Sequence, residues 1–138
     1  MLDTSFAIAW VIESERTPLA MKYFDALSLE QTAALVPAIW PDELANVLVT
    51  LERSKKIASA DVSTWIQTFL RLPIQIEPAS LHNSLEEVRA LAQSHRLTVY
   101  DARYLHLALR KNLPLATYDK QLIAVANNAG VDLVSCVT

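Results

Sequence analysis

The chain has 138 residues, 52% hydrophobic and 20% charged, and a net charge of −3. This suits one domain, 1–138, with a sizeable core; it excludes a disordered chain and a generic basic nucleic-acid binder. Its one glycine, Gly130, excludes the glycine-rich loops that cradle phosphates in dinucleotide and P-loop sites.

The opening MLDTSFAIAWVIESE predicts a very short strand ending near Asp3, then a helix that Thr4 or Ser5 can cap. Thr17-Pro18 restarts a helix, with Thr as N-cap and Pro at the first position, running to about Leu27. AALVP, 33–37, reads as a buried strand. Pro41 opens the helix PDELANVLVTLERS, with Leu44, Val47, Leu48 and Leu51 on one face. Ser59 starts another, whose apolar positions are Val62, Trp65, Ile66 and Phe69. PIQI, 73–76, is a strand, and Ser80 begins a helix carrying Leu81, Leu85, Val88 and Leu91. TVYDARYLHLALR, 98–110, is a helix ending near Asn112, which tolerates the left-handed conformation. PLAT, 114–117, is a strand; a final helix runs from near Asp119 to Gly130, and VDLVS closes the sheet. Short apolar runs alternating with amphipathic helices predict an α/β fold with a central, mostly parallel five-stranded sheet flanked by helices.

No apolar run reaches the roughly 18 residues of a membrane span. No basic region precedes an apolar segment at the start, so no signal peptide is expected. The single cysteine, Cys136, excludes an internal disulfide and a Cys-based zinc site. Together these predict a cytoplasmic protein with no membrane association.

Asp101 shares a helix face with Tyr104, Leu105 and Ala108, where an ionised carboxylate is out of place unless something pairs with it or binds it. Asp3 and Asp119 fall at or just past the C-terminal ends of strands, where open parallel sheets bind ligands. Glu43 and Asp101 lie in first helical turns, and Glu43 shares a flank with Asn46 and Thr50. Taken singly, each acid has an ordinary reading: Asp3 as a cap, Glu43 and Asp119 as first-turn acids favoured by the helix dipole. Together they point to a site. Like charges at ~4 Å repel by about 4 kcal/mol at an effective dielectric of 20, and a divalent cation offsets that. Hard oxygen donors without a Cys or His cluster suit Mg²⁺ or Mn²⁺, which can orient a phosphodiester and activate water.

LDTS at 2–5, PDELANVL at 41–48, TVYDARYLHLALR at 98–110 and LPLATYDKQL at 113–122 resemble, in order and spacing, the four motifs of PIN domains. More narrowly they resemble the VapC-type ribonuclease toxins of toxin–antitoxin pairs. The resemblance implies a PIN-like single domain and Mg²⁺- or Mn²⁺-dependent endonucleolytic cleavage of RNA. It maps the acidic site to Asp3, Glu43, Asp101 and Asp119, with Asp3, Asp101 and Asp119 as metal ligands and Glu43 completing the site. Thr4 and Thr117 match polar positions that support the acids. A homodimer and a VapB-like antitoxin partner are also implied, and the apolar helices over 41–70 offer surface for both. Two positions depart from the pattern: only Met1 and Leu2 precede Asp3, and Asn112 replaces the usual glycine.

Arg103, Arg110 and Lys120 are the candidates for positioning phosphate, whereas RSKK at 53–56 reads as a solvated helix end. His82, His95 and His106 lack a metal-ligand spacing, and Trp10, Trp40 and Trp65 read as core or interface. Two other readings compete. One is a nuclease-inactive PIN-like protein-interaction module, against which the four acids argue. The other is a phosphatase of the haloacid dehalogenase type, which requires Asp where Ser5 stands.

Overall fold

The structure, a computed structural model, describes residues 1–135. Cys136 and the end of the 1–138 domain lie outside the described residues.

Two regular strands form, β1 (Ala34–Pro37) and β2 (Ile74–Glu77), paired in parallel from Ala34 opposite Ile74 to Pro37 opposite Glu77. The expected five-stranded sheet is therefore corrected to two strands among the described residues. The other three segments align beside them by isolated bridges and a few hydrogen bonds rather than ladders. The Leu2 amide donates to the Leu35 carbonyl (3.1 Å), Leu2 bridges Ala116 and Leu115 bridges Leu133, both bridges parallel. The cause is local. In the first segment the chain turns into a helix at Thr4, directly after the Leu2 bridge and the Asp3 N-cap. In the fourth, Pro114 has no N–H to give a ladder.

Among the described residues, seven α-helices flank this layer: α1 (Thr4–Val11), α2 (Pro18–Ser28), α3 (Trp40–Arg53), α4 (Ser59–Arg71), α5 (Arg89–His95), α6 (Val99–Lys111) and α7 (Lys120–Ala129). The Thr17 hydroxyl caps α2 by accepting the Ala20 amide at 3.0 Å. Asp3, not Thr4 or Ser5, takes the N-cap position of α1, and its side chain makes no cap bond. The helix expected from Ser80 is irregular: after Ser80 Oγ accepts the Asn83 amide, a π-helical stretch (Asn83–Val88) leads into α5. Between α1 and α2 lies a 3₁₀ turn, Glu13–Glu15.

Helix ends repeat one device. Glu30, Lys55, Arg96, Asn112 and Gly130 all have φ between 52° and 76°, after α2, α3, α5, α6 and α7. In each case the next amide reaches back five residues, as Leu97 does to Ala92 (3.0 Å) and Lys56 to Leu51 (3.0 Å). This is the Schellman closure, which satisfies carbonyls the helix leaves open.

The core gathers Leu2, Phe6, Trp10, Val36, Tyr104, Leu105, Leu115 and Leu122, all at most 1% exposed. Trp10 donates its indole N–H to the Ala20 carbonyl (2.9 Å) and packs against Phe24 and Phe69. Trp40 is buried and Trp65 half-buried in the same aromatic group. Among the described residues no helix is long and apolar enough to cross a membrane.

Candidate active site

The chain arrives at the C-terminal edge of the sheet from four elements. Asp3 leaves the first bridge with an extended backbone (φ −86°, ψ 151°). Its side chain does not cap α1; two hydroxyls seize it instead. Ser5 Oγ donates to Asp3 Oδ2 at 2.5 Å and Thr117 Oγ1 donates to the same oxygen at 2.7 Å. Those hydroxyls are oriented in turn, because Ser5 Oγ accepts the Tyr118 amide and Thr117 Oγ1 the Asp119 amide, each at 3.0 Å. Asp3 is 6% exposed. Burial pushes its carboxyl above the usual range, the hydroxyls and the Thr4 amide oppose the rise, and the Asp119 charge adds to it.

Glu43 sits half-buried in the first turn of α3, and Tyr104 Oη donates to its Oε1 at 2.6 Å. Burial raises its pKa, the Tyr104 bond lowers it, and the charges of Asp3 and Asp101 raise it further. Asp101 is half-buried in the first turn of α6, where Thr98 Oγ1 accepts the Asp101 amide at 3.1 Å. Its pKa is raised by burial and by the Asp119 and Asp3 charges, against a smaller opposing effect of Thr98. Asp119 caps α7, its Oδ1 accepting the Leu122 amide at 2.8 Å. Asp119, read as a first-turn acid, is thus the N-cap of α7, whereas Asp3, read as a cap, holds the N-cap position of α1 without a side-chain cap bond.

All four carboxylates line one open cleft of about 740 Å³, with Thr4, Ser5 and Asn46 beside them and a fifth acid, Glu15, also in the lining. Thr117 stands behind Asp3 rather than in the cleft wall. Thr4 is buried, but its Oγ1 lies 3.2 Å from Tyr104 Oη, so it reaches Glu43 through the tyrosine. Arg103 and Arg110 do not turn toward this cleft: Arg103 donates to Ser84 Oγ and Arg110 pairs with Glu77. Lys120 is exposed and is not among the cleft's lining residues.

Ser5 and Tyr104 are the residues the spacing argument missed. Ser5 reads as a cap and Tyr104 as core. The Asp-x-Ser spacing from Asp3 was the one available signal, since it lets a hydroxyl turn back on a carboxylate.

The donor set fits a hard divalent cation in its chemistry. The oxygens are carboxylates, the charges acting on Asp3, Glu43 and Asp101 come from within the four acids, Asp119 included, and no ion pair with Lys or Arg neutralises them among the described residues. Their arrangement is open rather than caged. Among the described residues, no group of three or more His, Cys, Asp or Glu side chains could hold a metal ion as it stands.

A family profile described as PIN domain matches residues 1–128. The crystal structure of PAE2754 from Pyrobaculum aerophilum is similar in fold, with a TM-score of 0.63 at 22% identity, over 89% of this chain and 76% of that one. No curated protein matches the chain.

Proposed function

The chain belongs to the PIN domain family, and on that premise we propose that it is a Mg²⁺- or Mn²⁺-dependent endoribonuclease, the toxin of a VapBC-type toxin–antitoxin pair. PIN domains are generally metal-dependent nucleases. The observation that supports the reading is four carboxylates from four separate elements lining one cleft, three of them with raised pKa values. Perturbed acids clustered in a cleft are a mark of function.

In this reading Asp3, Asp101 and Asp119 hold the cation, and Glu43 completes the site. The bound ion supplies positive charge for the phosphodiester oxygens and lowers the pKa of water. Ser5 and Thr117 hold Asp3 in one rotamer by donating to one of its oxygens. Asn46 offers a neutral amide at the cleft wall for substrate contact. Hydrolysis leaves a 5′-phosphate and a 3′-hydroxyl.

The partner proposal draws on a second surface. An apolar groove of about 520 Å³ lies between α3, α4 and β2, where Val49, Ile66, Leu70 and Ile76 are 41–74% exposed. Apolar exposure of this kind marks interaction surfaces, and it suits a homodimer contact or an antitoxin segment.

The test is incubation of purified protein with RNA in Mn²⁺, in Mg²⁺ and in EDTA. Cleavage is expected with either cation and not in EDTA, and Asp101→Asn is expected to lower it at least ~100-fold. Cleavage that persists in EDTA, or survives Asp101→Asn, would overturn the mechanism.

A further inference from the structure

Tyr104 is the second-largest fully buried side chain, and it is not among the residues lining the cleft. Phenylalanine would fill the same core volume without a hydroxyl to satisfy. A buried hydroxyl is costly unless it is bonded, and this one is bonded on both sides. Its single proton goes to Glu43 Oε1 at 2.6 Å. Thr4 Oγ1, at 3.2 Å, is then the donor into the tyrosine oxygen, because the phenol has no second proton to give. The order is Thr4 to Tyr104 to Glu43, and it joins α1, α6 and α3 behind the cleft.

Tyr104 also lies three residues after Asp101, on the same face of α6. One helix therefore presents a carboxylate to the cleft and, one turn later, a hydroxyl to the back of Glu43. We infer that Tyr104 is a positioning residue of the proposed nuclease: it fixes one oxygen of Glu43 and leaves the other for the cleft. The inference rests on the nuclease reading for what Glu43 does there. Tyr104 itself touches neither substrate nor cation.

The test is a cycle of Tyr104→Phe, Glu43→Gln and the double variant. Turnover of a short RNA with Mn²⁺ is measured as kcat and KM, and Mn²⁺ affinity by calorimetry. A small displacement of a catalytic group costs up to about 100-fold, so Tyr104→Phe should lower kcat about 10- to 100-fold with KM within about twofold. Because it acts through Glu43, the double variant should be no slower than Glu43→Gln alone. A purely packing role would lower Tm and leave kcat intact. A kcat for Tyr104→Phe within about twofold of wild type, or losses that multiply in the double variant, would overturn the inference. If Tyr104→Phe does not fold, Thr4→Val replaces it, keeping the Tyr104–Glu43 bond while removing the donor behind it. A smaller drop in kcat, absent in the Glu43→Gln background, is expected, and an unchanged kcat overturns the inference. A wild type that binds Mn²⁺ but cuts no RNA removes the nuclease reading alone. The calorimetric cycle then decides Tyr104: weaker, non-multiplying Mn²⁺ binding supports it and wild-type binding by Tyr104→Phe overturns it. A wild type that binds no Mn²⁺ overturns both.

Discussion

Ionising Asp101 works against folding. Its folded pKa lies above the unfolded value because burial and two neighbouring carboxylates oppose the charge. Asp101→Asn is therefore expected to stabilise the cation-free protein by about 1 kcal/mol while removing cleavage. Thermal melts in EDTA beside an activity assay check this, and a lower Tm for the variant would contradict it. Thr117→Val has the opposite signature. It removes a hydrogen bond that lowers the Asp3 pKa, so it should cost about 1–3 kcal/mol of stability. It should also move the acid limb of the pH–rate profile upward, because Asp3 then ionises at higher pH. At this scale the sequence was readable where one element decides the matter. The period of α6 put Asp101 among Tyr104, Leu105 and Ala108, and the three flanking residues are indeed buried. Leu109, at 43% exposed, shows where that stripe ends. Partners 61 and 114 residues away are another matter: the Tyr104–Glu43 and Thr117–Asp3 bonds depend on how helices and strands pack. Spacing within one motif carries no such information. The partners of Arg103 and Arg110 were hidden for the same reason, since Ser84 and Glu77 lie on other elements.

Helix termini are where this chain's shortage of glycine shows. Of the five left-handed closures, one is glycine, one is asparagine, and three fall on Glu30, Lys55 and Arg96. The left-handed conformation costs an ordinary residue roughly 1–2 kcal/mol, and glycine's extra unfolded-state entropy returns about 0.5–1 kcal/mol of that. Lys55→Gly and Arg96→Gly should each stabilise the fold by about 0.5–1 kcal/mol, read as a rise in denaturation midpoint at unchanged slope. Both side chains are exposed, and the carbonyl of Arg96 that accepts from Gln121 survives the change. The closures at Asn112 and Gly130 were legible because those residue types announce them. Those at Glu30, Lys55 and Arg96 were not, because tertiary packing imposes a conformation their side chains do not favour. The π-helical stretch at Asn83–Val88 was hidden likewise: the apolar period of Leu81, Leu85 and Val88 is that of a plain α-helix. The strands were overcounted because an apolar tripeptide or tetrapeptide has strand composition whether or not it has room for a ladder.

Across the whole molecule, Asp3, Glu43 and Asp101 set an unusual pH dependence. Their folded pKa values lie above the ordinary 3.8 and 4.5. The folded state thus binds more protons than the unfolded chain from about pH 4 upward, through the raised values. Their contribution to stability is fully present below the unfolded pKa and is lost as pH rises through the folded one. In EDTA, the stability these groups confer should fall from weakly acidic to neutral pH. Saturating Mn²⁺ should reverse that slope, because it binds the ionised form; at 100 times its Kd it adds about 2.7 kcal/mol. Melts at several pH values with and without Mn²⁺ check both signs, and a slope unaffected by Mn²⁺ would count against a cation at this site. The hydrogen bond from Thr117 to Asp3 spans 114 residues, and it has a bearing on time as well as on space. During synthesis Asp3 emerges more than a hundred residues ahead of Thr117 and Asp119. Until then the carboxylates have no common cleft. On the nuclease reading, activity therefore appears only once Thr117 and Asp119 have been made and have folded against Asp3.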